Sequence, residues 1–228
     1  MTVPARRRST RDRPAKAPLS EQAVVDAALA ILKSEGLEAV TMRRVATALD
    51  TGPGSLYVYV SGRDELLQAM QERVTATIEL EKPNPKRWRA QLHALLGRML
   101  DALIAHPGLA SVSMADPPTS AATSAALENL LGLLFAGGVA PQDAAWAADI
   151  FAALVTFNAI EADTRRVDIT EHAEEIARYF AALPPERYPL ITANVGALVA
   201  GDPRRRFRFA VDVVLDGILA RSKDGQPD

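Results

Sequence analysis

The chain contains no cysteine, only three histidines, and few aromatic residues, 5% of the total. The missing cysteine excludes disulfides, thiol catalysis and cysteine-ligated zinc. His93, His106 and His172 are scattered, and none can share a helical turn with another, so neither a metal nor a cofactor is expected. No run of about 18 uncharged apolar residues occurs, so no membrane span is expected. The basic stretch 1–16 has no apolar segment behind it and does not read as a signal peptide, which sets the expected location in the cytoplasm. Strand-like alternation and internal repeats are missing too, and an all-α fold is what remains.

What is present suffices to bury a core. The 228 residues are 48% hydrophobic and 24% charged, as in folded globular proteins. The net charge of −2 is unevenly spread. Residues 1–16 hold Arg6, Arg7, Arg8, Arg11, Arg13 and Lys16 against Asp12, whereas 61–228 hold 17 basic and 22 acidic side chains. A basic arm on an acidic body suits contact with a polyanion at one end, and a solubilising tail has the same composition; both readings stay open.

Hydrophobic periodicity and capping residues predict the helices. Ser20 caps a helix over 21–34 that carries Val24, Ala28 and Ile31 and stops at Gly36. Thr41 caps a short helix bearing Met42, Val45, Ala46 and Leu49. The break 51–54 leads to a one- or two-turn helix over 55–60, and a capping box over Ser61–Asp64 opens a helix over 63–80. Helices follow over 87–105, 121–135, 142–162 and 204–220, with a short irregular piece before Pro118 that has room for one helical turn and a short helix within 187–200. A second capping box, Asp168 with Glu171, starts a helix reaching about residue 182. The expected division is a basic disordered arm (1–19), a helix-turn-helix head (20–66), a larger helical domain (67–221) and a disordered tail (222–228).

Residues 41–60 have the layout of a brace helix, a tight turn and a probe helix, the arrangement that places side chains in a major groove. Thr41-Met42-Arg43-Arg44-Val45-Ala46, then Leu56-Tyr57-Val58-Tyr59-Val60, then Arg63-Asp64-Glu65-Leu66-Leu67 resembles the N-terminal signature of the tetracycline-repressor family. The resemblance implies a helix-turn-helix regulator that binds double-stranded operator DNA as a homodimer and responds to a small-molecule effector. It places Tyr57, Tyr59 and Arg63 against phosphate or base edges and Thr41, Arg43 and Arg44 near the start of the brace helix; Ser55 lies on the probe helix. A packing role for Tyr59 stays open beside this. The probe helix departs from the family's tetracycline-binding member, having Pro53 and Gly54 where a glutamine and a proline read bases and Tyr59 where a histidine stands, so a different operator is expected.

The C-terminal part resembles the same family more weakly, through Leu103-Ile104-Ala105-His106 with Pro117-Pro118-Thr119, and through Phe207-Arg208-Phe209-Ala210 with Val213-Val214-Leu215-Asp216-Gly217. By that resemblance the helices over 142–162 and 204–220 form a dimeric bundle. They are too apolar all round for a monomer's outer wall, and the expected interface is Trp146, Ile150, Leu154, Phe207, Ala210, Val211, Val214, Gly217 and Ile218. The expected effector pocket is Leu96, Met99, Leu100, Leu103, His106, Met114, Leu130, Leu134, Phe151, Val155, Phe157 and Asn158. Ser113 stands where the tetracycline-binding member has a metal-binding histidine, so an apolar or aromatic effector is expected rather than a chelated one.

Two other functions compete with this one. An enzyme needs a poised acid, base or nucleophile, and nothing in the spacing of Asp116, Asp149 and Glu161 brings them together, so no enzyme is expected. A helical interaction module without DNA binding is the alternative, motivated by a probe helix poor in Arg, Lys, Asn and Gln.

Overall fold

The computed structural model describes residues 18–115, 120–164 and 169–224, and every element among them is helical. Helix α1 spans Glu21–Glu35; the Ser20 hydroxyl accepts the Ala23 N–H at 3.2 Å, and Gly36 ends the helix at φ 87°. A 3-10 turn, Leu37–Ala39, leads to α2, Met42–Ala48, where the Thr41 hydroxyl accepts the Arg44 N–H at 3.2 Å. Each such cap satisfies an N–H with no partner inside the helix and contributes about 1 kcal/mol.

The probe segment differs from expectation. It is a 3-10 helix over Pro53–Val58, so Pro53 and Gly54 belong to the helix, not to the turn before it. Proline fits a first helical position because its φ is preset and its missing N–H would be unpaired there anyway. Helix α3, Arg63–Thr75, is also shorter than expected. The Thr77 hydroxyl donates to the Val74 carbonyl at 2.7 Å, and β-branched Val74, Thr75, Thr77 and Ile78 crowd the turn. The cap of α3 is not the expected Ser61–Asp64 box: Gly62 holds the cap position, and Glu65 accepts the Ser61 N–H at 2.5 Å.

Beyond a linker, α4 spans Trp88–Ile104, and α5, Leu109–Ala115, is a seven-residue helix where an irregular piece with one helical turn was expected. Then come α6 (Ala121–Ala136), α7 (Pro141–Thr164), α8 (Ile169–Ala181), α9 (Pro189–Ala193), α10 (Val195–Val199) and α11 (Pro203–Asp224). Prolines start α7, α9 and α11, again as first helical residues. Helix α11 runs four residues past the expected end, into the segment read as a tail. Asp168 and the side chains of Glu171 and His172 fall outside the described residues, as does arm 1–17.

Two hydrophobic cores result. The smaller joins Val24, Ala28, Ile31 and Leu32 of α1 with Val45, Leu56, Leu66, Met70 and Val74, and is closed by Leu109 from α5. The larger joins Leu92, Leu95, Leu96 and Leu100 of α4 with Leu130, Leu133 and Leu134 of α6, Ala147, Phe151 and Val155 of α7, and Phe207, Val211 and Leu215 of α11. Helix α3 turns Leu66, Leu67, Met70 and Val74 into the smaller core while also packing on α4, α5 and α6. The linker is fixed by Gln91, a buried polar side chain: its Oε1 accepts the Asn84 N–H at 2.8 Å and its Nε2 donates to the Lys82 carbonyl at 3.0 Å.

Candidate functional site

The outer face of the head carries the side chains expected to meet DNA, but they are not equivalent. Arg43, Ser55 and Tyr57 are exposed. Leu56 beside them is fully buried and anchors the 3-10 helix, so Tyr57 and Val58 project outward, 55% and 80% exposed. Thr41 is exposed but its hydroxyl is engaged as the α2 cap. Arg44 forms a two-point pair with Glu35, Nε to Oε2 at 3.0 Å and Nη2 to Oε1 at 2.5 Å. That bond draws the Glu35 carboxyl below its ordinary pKa and raises that of Arg44.

Tyr59 and Arg63 turn inward. The Tyr59 hydroxyl donates to the Leu19 carbonyl at 2.7 Å, which fastens the chain entering α1. Arg63 donates to the Val40 carbonyl at 2.8 Å and the Leu37 carbonyl at 3.2 Å, satisfying the end of the 3-10 turn. Both side chains are half-buried and hold the shape of the head. Val58, not among the expected contact residues, forms an exposed apolar tip on the probe helix.

Behind the head lies a cavity of about 800 Å³ between α3, α4, α6 and α7. Its walls include Gln68, Ala69, Glu72, Thr75 and Ile78 from α3 and the turn after it, Met99 and Leu103 from α4, Thr123, Ala126 and Leu130 from α6, and Ala148, Asp149, Ala152, Val155 and Thr156 from α7. Of the expected pocket residues, Met99, Leu103, Leu130 and Val155 line it. Leu96, Leu100, Leu134 and Phe151 instead pack inside the larger core. His106 donates from Nδ1 to the Ala102 carbonyl at 2.8 Å, and Asn158 donates from Nδ2 to the Leu154 carbonyl at 2.8 Å, so each side chain serves its own helix. Phe157 is 65% exposed and away from the cavity wall. The side chain of Met114 lies outside what is described. The polar residues of the wall were missed: apart from His106 and Asn158 the expected pocket gathered apolar positions, and it took none from α3.

Residues 24–70 match the model for bacterial regulatory proteins of the tetR family, and residues 82–222 match the tetracyclin repressor-like C-terminal domain. The chain belongs to the tetR family. Among relatives, the HTH-type transcriptional repressor DrrR1 of Streptomyces coeruleorubidus is 31% identical over 222 residues, covering 90% of this chain and 80% of that protein. ActR of Streptomyces coelicolor in complex with actinorhodin superposes with a TM-score of 0.84 at 32% identity, covering 90% of this chain and 97% of that one. BioQ bound to its double-stranded DNA operator superposes with a TM-score of 0.65 at 25% identity, covering 89% and 99%.

This tetR-family chain is therefore a helix-turn-helix transcriptional regulator and not an enzyme. Among its described residues, no group of three His, Cys, Asp or Glu side chains comes together as a metal site. Its regulatory part presents a broad apolar outer face. Trp146, Ile150 and Phe157 of α7 are 46–65% exposed, and Phe209 and Val213 of α11 are more than half exposed. Gly217 is exposed, and Leu154, Ala210, Val214 and Ile218 are half-buried. Phe207 and Val211, expected at this face, are buried within the protomer against α7 and α4. Phe209 and Val213, not named at the sequence level, take the outward positions two residues later. Helix α7 is long and apolar enough to cross a bilayer by length and composition, yet its inner face packs on α4, α5, α6 and α11.

Proposed function

We propose that the chain is an effector-released repressor that binds palindromic operator DNA as a homodimer, with a head over 20–66 and a regulatory and dimerisation part over 67–221. The observation that carries this reading is the double use of α3, which builds the head's core with one face and the cavity wall with another. A ligand filling the cavity bears directly on the helix that orients the probe segment, and so favours one of two head separations.

Two heads related by two-fold symmetry suit half-sites about one helical turn apart. The apolar outer face of α7 and α11 supports pairing, since a contiguous patch of this kind rarely faces water in a monomer. Arg43, Ser55, Tyr57 and Val58 are the free contacts of each head, with Tyr57 and Arg43 on phosphate and Val58 against bases. Relatives point the same way: DrrR1 is a repressor, ActR binds actinorhodin, and BioQ binds a duplex operator. The effector is apolar or aromatic over most of its surface, matching the alanine, leucine, methionine and valine side chains of the wall.

Selection of bound duplexes from a random pool by the full chain tests the reading. The expected product is a palindromic consensus, retained by a dimer and lost when effector is added. A chain that enriches no sequence at low salt is an interaction module, and the proposal falls.

A further inference from the structure

The charges on the cavity wall are of one sign. Glu21, Glu65, Glu72 and Asp149 line it, and among the described residues no lysine, arginine or histidine does. In a chain with 26 basic and 28 acidic side chains, an even mixture would have put cations there too. Glu65 is engaged with Ser61 at the start of α3, and that bond lowers its pKa, so it stays an anion. Glu72, half-buried on α3, and Asp149, exposed on α7, line the same cavity from different helices, and neither side-chain carboxylate forms a hydrogen bond or ion pair among the described residues. The basic residue nearest Glu72 in sequence, Arg73, turns away from the cavity to Asp26 on α1 at 3.5 Å.

Among the described residues these carboxylates do not gather into a metal site. What they form is a field of one sign across a space with largely apolar walls, Ala69, Met99, Leu103, Leu130, Ala152 and Val155 among them, with the amides of Gln68 and Gln71 and the hydroxyls of Thr75, Ser120, Thr123 and Thr156 between. A cleft of one sign with apolar walls concentrates field lines and favours the opposite charge on whatever fills it. We propose that the effector is a cationic amphiphile: a ring-sized apolar body carrying a protonated amine, with the amine held between Glu72 and Asp149. This rests on the reading of the cavity as the effector site and narrows it from apolar to basic compounds. An anionic aromatic of the same shape is rejected, because it would bring a like charge to a wall with no cation among its described residues.

The test uses the full chain and three probes of matched shape: 9-(aminomethyl)anthracene, 9-anthracenemethanol and 9-anthracenecarboxylate, titrated by their fluorescence at pH 7. The expected result is that the amine binds about tenfold tighter than the alcohol, a difference of about 1.4 kcal/mol, and that the carboxylate is weakest. In the Glu72→Gln, Asp149→Asn double variant the amine's advantage shrinks to within about threefold, while the alcohol binds as before, showing an intact cavity. An amine that binds no tighter than the alcohol, or an advantage that survives in the double variant, overturns the proposal. Ala152→Trp, which fills the cavity, separates the two levels. If it abolishes binding of probes that show no charge preference, the cavity reading stands and the cationic class falls; if no probe binds the unmodified chain, or the tryptophan changes nothing, both fall.

Discussion

The backbone N–H of Gly108 donates to the carboxylate of Asp163 at 2.8 Å and so ties the junction of α4 and α5 to the end of α7. Gly108 also lies against the head. Its φ is +88°, and a Cβ built there would stand 2.9 Å from the Cβ of Leu37, in the 3-10 turn whose carbonyl is held by Arg63. The next residue, Leu109, is fully buried in the head's core. A chain of direct contacts thus runs from α7, which lines the cavity with Ala152, Val155 and Thr156, through Asp163 and Gly108 to Leu37 and α3.

Gly108→Ala meets both a left-handed φ and Leu37, so it is expected to destabilise the fold by more than about 1 kcal/mol. Asp163→Ala leaves a half-buried N–H without its acceptor, at about 1–3 kcal/mol. Both are read as a fall in Tm. Both variants are expected to alter effector-induced release of DNA more than DNA binding itself, measured by fluorescence anisotropy of a labelled operator. Normal release in both variants would show that this contact chain carries no coupling.

The two tyrosines of the probe segment are expected to separate cleanly. Tyr57→Phe removes an exposed hydroxyl and should weaken operator binding severalfold with Tm unchanged. Tyr59→Phe removes the bond to the Leu19 carbonyl and should lower stability by about 0.5–1.5 kcal/mol. The reverse pattern in paired melting and binding curves would reassign the contact.

Phe207 and Phe209 sit two residues apart on α11 and face opposite ways, one buried and one 68% exposed. Phe209→Glu is expected to give a folded monomer by sedimentation, with operator affinity reduced because two-headed binding is lost. Phe207→Glu places a charge in the larger core and should prevent folding. A dimeric Phe209→Glu would move the interface elsewhere.

Asp212 joins α11 to α4 through Arg89 at 2.9 Å and His93 at 3.0 Å. The Arg89 guanidinium, then His93, draws the Asp212 carboxyl below its ordinary pKa. A carboxyl depressed in the folded state contributes stability that is full above its unfolded pKa and is lost as pH falls through the folded one. Asp212→Asn should therefore lower Tm at pH 7, and the gap to the unmodified chain should close as the pH falls below the ordinary carboxylate range, about pH 4. The pair is largely exposed, so the shift is small, and a gap that widens in acid would contradict the assignment.

Much of this molecule is local and therefore legible in the linear chain. The caps Ser20 and Thr41, the stop at Gly36, and the periodic apolar rows of α1, α2, α4, α6, α7 and α11 depend on neighbours three or four residues away, and the head's motif is contiguous. The all-α class and the family follow from them. What tertiary structure alone decided is which way equivalent residues point. Phe207 and Phe209 are the same residue type on one helix, and only the docking of α11 on α7 makes one core and the other surface. The internal partners of Tyr59, Arg44 and Arg63, which are Leu19, Glu35 and Leu37, stand 40, 9 and 26 positions away and come within reach only in the fold. The acidic wall is likewise invisible beforehand, because Glu72 and Asp149 are 77 positions apart and share a cavity only when α3 and α7 pack around it. Periodicity fixes what lies on one face of a helix; only packing chooses which face meets a core, a cavity or solvent.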